Sequence, residues 1–167
     1  MKHAVRTSLT GLASVFIALG LILAFCPDWS SAQSQSNNDN VSVKVLSAPT
    51  VRMTLGTKAI VATLANTDKA RTEGLLGWSE IREEQGMLLD FIRSGVFAIH
   101  MQGMKFPIDA VWIDSHDVIR LIYEQIRPNS GIVYPSIFPV RYCLEIPAGF
   151  CKKHGIKEGQ KVVFNSD

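Results

Sequence analysis

His100, Asp109 and Glu145 are the side chains whose types suit acid–base work, and Arg71 is placed to hold a carboxylate or an anion. Around His100 the run Val96 to Met101 alternates, with Phe97, Ile99 and Met101 on one strand face and Ala98, His100 and Gln102 on the other. That pattern can bring the imidazole into a polar groove beside Asp109 or Glu145, where it would shuttle protons near neutral pH. The commoner role of such a histidine is an exposed or structurally hydrogen-bonded one. Asp109 follows Pro107, whose fixed φ and missing N–H give the carboxylate one defined approach. It can take a proton or a polar ligand, but capping its own turn by accepting backbone N–H bonds is the more ordinary use. Glu145 is set between Leu144 and Ile146, so it should be partly buried, and burial without a partner is costly. A structural ion pair or hydrogen-bonded anchor is its default role, with Arg71 the obvious mobile partner. Arg141, four residues away on the same strand face, is too far for dependable contact.

The remaining chemistry is thin. His3, His100, His116 and His154 have no ligand spacing, so no metal is expected. Ser136 lacks the Gly-x-Ser-x-Gly setting of a hydrolase nucleophile, and Tyr134 beside Pro135 reads as loop packing. Both count only as candidate ligand contacts. No glycine-rich loop is built to cradle phosphate, and no cofactor is expected. Cys143 and Cys151 have two open states: a local disulfide across the Pro147-Ala148-Gly149 bend, or two separate buried thiols. A catalytic dithiol is not indicated, because Cys-x-x-Cys is absent.

The elements that would hold these groups are mostly short strands. Val51–Leu55 and Lys58–Leu64 flank Gly56-Thr57 as a hairpin. Asn66 or Thr67 can cap a helix running through Gly77, with Asp68 in its first turn and close packing expected at Gly74. Met87–Phe91 and Val96–Met101 read as strands. Ala110–Ile113 and Val118–Tyr123 form a hairpin around Asp114-Ser115-His116-Asp117. Arg141–Ile146 alternates, with Tyr142, Leu144 and Ile146 opposite Arg141, Cys143 and Glu145. A helical turn to His154 and a closing strand Lys161–Phe164 follow. Arg127–Val140 has no period and three prolines, so it reads as a flap whose Ile132, Tyr134, Ile137 and Phe138 plug into the sheet. The fold class expected is α+β: a β-rich curled sheet or small barrel with one main helix.

The ends and the charge set the context. Lys2, His3 and Arg6 precede an apolar run, Leu9 to Phe25, and the small residues Ser30-Ser31-Ala32, the pattern of a cleaved secretory signal. An uncleaved anchor ranks second and lipidation at Cys26 third. Residues 1–32 are therefore read as signal peptide, 33–47 as a flexible linker opened by the polar stretch Gln33 to Asn40, and 48–167 as one domain. The expected location is exported, periplasmic or secreted. Seventeen basic against fifteen acidic side chains give +2, too balanced for sequence-independent nucleic-acid binding.

One succession of blocks resembles a known family. It comprises Thr67-x-x-x-Arg71-x-x-Gly74-Leu75-Leu76-Gly77, Gly86-Met87-Leu88-x-x-Phe91, Phe106-Pro107-Ile108-Asp109-x-x-x-Ile113-Asp114, Tyr134-x-Ser136-x-x-Pro139 and Tyr142-x-Leu144-Glu145-Ile146-Pro147-Ala148-Gly149. Over about Thr50 to Phe164 these are similar to domain-of-unknown-function family 192. The resemblance implies a compact, largely β fold found in exported bacterial proteins, and no reaction or catalytic residue to carry over. Two departures stand out. Ile99-His100-Met101-Gln102-Gly103-Met104 replaces the family's usual Phe-Trp-Met-Lys-Asn-Thr block, and Asp117 stands where a turn glycine is common.

The leading functional expectation is a non-enzymatic accessory module of the bacterial cell envelope that binds a ligand or partner. Its site would draw on Arg71, His100, Asp109, Tyr134, Ser136 and Glu145. Its partner would be an unknown small ligand or an envelope protein, with membrane contact only through an uncleaved N-terminal anchor. The alternative is an enzyme, a hydrolase or lyase, using His100 with Asp109 or Glu145 as acid and base. That alternative predicts convergence of these groups within about 3 to 4 Å. A purely structural envelope role would leave no organised pocket.

Overall fold

The computed structural model describes residues 48–165; the expected signal peptide and linker lie outside the described residues. The elements are β1 (Thr50–Leu55), β2 (Lys58–Ala65), α1 (Asp68–Glu73), β3 (Gln85–Gly95), β4 (Ala98–His100), β5 (Ile108–Ile113), β6 (Ile119–Ile126), β7 (Val133–Pro135), β8 (Val140–Pro147), α2 (Phe150–His154) and β9 (Val162–Asn165). Among the described residues no helix is long and apolar enough to cross a membrane.

Seven strands form one sheet in the order β6-β5-β8-β3-β2-β1-β9, while β4 and β7 form a separate two-stranded ribbon. Every neighbouring pair of the large sheet is antiparallel except β2–β3. A parallel pair cannot be joined by a tight turn, so residues 66–84, including α1, must cross over one face of the sheet. The two ends of the sheet meet. Val118 bridges Lys161, Ile119 N donates to Gln160 O at 2.9 Å, and Val162 N donates to Asp117 O at 2.8 Å. The result is the curled, β-rich α+β fold that the strand pattern predicts.

Alternation along β8 assigns the two faces. Leu144 and Ile146 join Met53, Leu55, Ile60, Leu88 and Phe150 inside the curl. Cys143 faces Leu75, Leu89, Met101 and Trp112 on the other side, and Val140, beyond the register shift between Asp90 and Gly95, joins that cluster out of phase. Both faces of β5 are covered, and all of its residues are buried. The β5–β6 turn follows from its own side chain: Asp114 Oδ1 accepts from His116 N and Val118 N at 2.8 and 3.1 Å, and Asp117 takes φ +63°.

Three expectations need correction. The helix capped by Thr67, whose Oγ1 accepts from Ala70 N at 3.1 Å, ends at Glu73 and not at Gly77. Gly74 adopts φ +47°, ψ −133°, a conformation only glycine takes easily, and this terminates the helix. Close packing is not the reason for glycine there, since an added Cβ would meet its nearest neighbours at 3.7 and 3.9 Å. The flap is also not plugged as expected. Ile132, Ile137 and Phe138 are 57%, 60% and 41% exposed, and only Tyr134 is half-buried. The β4–β7 ladder and Ser136 hold the flap instead.

Candidate functional site

A cavity of about 420 Å³ opens where α1 and the turns after it cross β3, β4 and β8. Leu75, Leu76, Leu89, Phe91, Ile99 and Met104 supply apolar wall, while Asp68, Arg71, Thr72, Glu73, His100, Gln102 and Glu145 supply polar groups. Three of the six residues read from sequence as ligand contacts, Arg71, His100 and Glu145, therefore share one cavity.

Glu145 is the unusual member. It sits on a central strand, paired with Met87 of β3 and Ala110 of β5, and is 7% exposed. Its Oε2 is buried without a hydrogen-bond partner. Burial disfavours the charged form and pushes the carboxyl from its ordinary 4.5 up to about 7. Two glycines allow this placement. A Cβ on Gly86 would stand 3.1 Å from Leu144 Cδ1 and 3.2 Å from Glu145 O, so glycine lets β3 approach β8 closely. Gly74 passes over the carboxyl with no side chain; a Cβ there would lie 3.9 Å from Oε2.

Arg71 is not the partner of Glu145 that its chemistry suggested. Its Nη1 donates to Asp90 O at 2.6 Å, its Nη2 pairs with the Asp68 carboxylate, and its guanidinium lies 5.9 Å from the Phe91 ring centroid. Asp90 is a residue the sequence reading missed. Its carboxylate accepts from Arg141 Nε and Nη2, both at 3.3 Å, and from Ile92 N at 2.7 Å. A charge inside the apolar run Leu88-Leu89-Asp90-Phe91 was the available signal. Thus Asp90, and not Glu145, is the ion-paired carboxylate where β3 meets β8, and neither it nor Arg141 lines the cavity.

His100 lies on the exposed face of β4, where Nδ1 accepts from Gln102 N at 3.3 Å. That bond leaves the ring proton of the neutral imidazole on Nε2. No hydrogen bond or ion pair joins His100 to Glu145 among the described residues.

The other three candidates lie elsewhere. Asp109 is fully buried and does not line the cavity. Its Oδ1 accepts from Gln125 N at 2.8 Å and Gly149 N at 2.9 Å, and its Oδ2 accepts from Cys151 N at 2.9 Å. The ordinary use anticipated for it holds in kind, but the donors are distant in sequence, so Asp109 ties β6 to the start of α2. Ser136, also fully buried, accepts from Phe97 N at 3.1 Å and donates to Phe138 O at 2.8 Å. The Tyr134 hydroxyl is 3.0 Å from Ser130 Oγ, and its ring meets Tyr123 edge-on at 5.3 Å.

Cys143 and Cys151 are both free and fully buried. They belong to the two different core clusters, on opposite sides of the sheet, which leaves the separate-thiol state of the two. Burial pushes both thiols up, and the Glu145 charge adds to this at Cys143. Among the described residues no three His, Cys, Asp or Glu side chains are grouped to hold a metal ion.

Two solved structures share the fold. A protein provisionally described as a transcription regulator from Sinorhizobium meliloti 1021 is 29% identical, with a TM-score of 0.69 over 71% of this chain and 96% of its own. A protein of unknown function from Novosphingobium aromaticivorans DSM 12444 is 25% identical, with a TM-score of 0.62 over 68% of this chain and 83% of its own. No curated protein matches. The family profile of DUF192, described as uncharacterized ACR, matches residues 50–164, and with that span the chain belongs to this family.

Proposed function

We propose that the domain is a non-enzymatic, ligand-binding accessory module of the bacterial cell envelope that takes a small molecule in the cavity beside Glu145. One observation carries this reading: a carboxyl oxygen buried with no partner in the wall of an open cavity lined by both apolar and polar side chains. An unpartnered buried polar atom costs about 1 to 3 kcal/mol, a cost that a ligand supplying the missing donor would offset. Cavities of roughly 300 to 1,000 Å³ with apolar walls and a few polar groups are the usual form of small-molecule sites. The acid–base alternative is less well supported, because Asp109 is spent on three backbone N–H groups and His100 has no bond to Glu145. A regulator role acting on nucleic acid gains nothing from a net charge of +2.

The test is native mass spectrometry of the protein isolated from its own cell envelope, beside the Glu145→Gln variant. A small-molecule adduct present on the unmodified chain and absent from the variant is expected. Absence of any adduct from both, or equal adducts on both, would count against the cavity as the site.

A further inference from the structure

The chemistry of the wall also indicates what kind of molecule belongs there, on the footing that the cavity is a ligand site. Its charged lining is Asp68, Glu73 and Glu145 against Arg71, an excess of carboxylates when His100 is neutral. Arg71 and Asp68 already form an ion pair with each other. Glu73 reaches outward to Lys69 at 3.7 Å, with both side chains well exposed. What remains inside is Glu145, 7% exposed, with Oε2 unpartnered and no ion pair to a cation among the described residues.

We propose that this cavity selects a small amphipathic cation, a protonated amine carried on an apolar body, with the ammonium group against the Glu145 carboxyl and the apolar part along Leu75, Leu89, Phe91 and Ile99. An ammonium supplies both things the carboxylate lacks, N–H donors and opposite charge, and a charge-assisted bond of this kind is about twice as strong as a neutral one. A neutral alcohol supplies one donor and no charge. A carboxylate ligand would meet three acidic side chains and find the one guanidinium already committed to Asp68 and Asp90. Gly74 lies over Oε2 without a side chain, so only backbone separates that oxygen from the cavity lining at this point.

The experiment uses three probes that share a benzyl-methylene body and differ in their head: phenethylammonium, phenethyl alcohol and phenylpropionate. Each is titrated into the full chain at about pH 8, above the Glu145 midpoint, and followed by amide NMR. The expected result is phenethylammonium binding at least about tenfold more tightly than either of the others. The shifts should centre on Gly74, Leu75 and Glu145, and Glu145→Gln should erase the preference. If the alcohol or the propionate binds at those residues as tightly as the amine, the cavity stands as a ligand site and its selectivity for cations is overturned. If none of the three perturbs those residues, the ligand-site reading itself fails and takes this inference with it. The probe comparison on the unmodified chain decides the matter even if the variant does not fold.

Discussion

At the scale of single residues, two buried carboxylates of similar exposure have opposite circumstances. Asp109 receives three backbone N–H bonds, whereas Glu145 Oε2 receives none. Asp109→Ala would strand one buried and two part-buried backbone donors, so a loss of about 3 to 5 kcal/mol in chemical denaturation is expected. Asp109→Asn keeps Oδ1 for Gln125 and Gly149 but turns an amide N–H toward that of Cys151, for a smaller loss of about 2 to 3 kcal/mol. Glu145 works through protonation. Its folded pKa of about 7 lies above the ordinary 4.5, so the folded protein retains a proton that the unfolded chain has released. This contribution is full below about pH 4.5 and falls away by about 3 kcal/mol as the pH rises through about 7. The groups facing the carboxyl from the elements around it are Asp68, Arg71 and Glu73 on α1, His100 on β4 and Cys143 on β8. Glu145→Gln should therefore unfold at a higher temperature than the unmodified chain at about pH 8 and at a similar temperature near pH 4. Equal pH dependence of the two proteins would show that Glu145 is not the group responsible.

At the scale of elements, the site depends on how α1 stops and how the flap is fastened. Gly74→Ala places an L-residue at φ +47°, ψ −133°, and should cost about 1 to 3 kcal/mol of stability, by backbone strain and not by a clash. Ser136→Ala removes the acceptor of Phe97 N and the donor to Phe138 O, so faster amide exchange is expected at Phe97 and across β7, with the main sheet unchanged. Much of this layer was legible in the sequence. β-Branched and aliphatic runs around Gly56-Thr57 located β1 and β2, the turn residues Asp114 to Asp117 located β5 and β6, and period-two alternation located β8 and assigned Cys143 and Glu145 to one face, with the two faces of β8 packed against different cores. The cavity was legible only in part. Arg71, His100 and Glu145 stand successively 29 and 45 residues apart along the chain, and no local pattern reports that a parallel β2–β3 pair throws α1 across β8. The same long-range pairing hid Asp109's donors and gave Arg141 to Asp90. The flap misled because apolar content was read as burial, whereas a hydrogen-bonded ribbon can hold a segment in place with its apolar side chains outside.

At the scale of the whole molecule, the curl of one sheet creates two separate cores and places the cavity on the outer one. The same geometry keeps the two thiols apart, so the unreduced, denatured protein should be alkylated at both Cys143 and Cys151, while the native protein should react slowly at each. A peptide carrying the two cysteines joined would contradict that arrangement. The central claim is that folding buries one carboxyl without a partner at the cavity wall, and site-resolved carboxyl-carbon NMR of Glu145 across a pH titration tests it most directly. The account predicts a midpoint of about 7, and a midpoint at the ordinary 4.5 would contradict it.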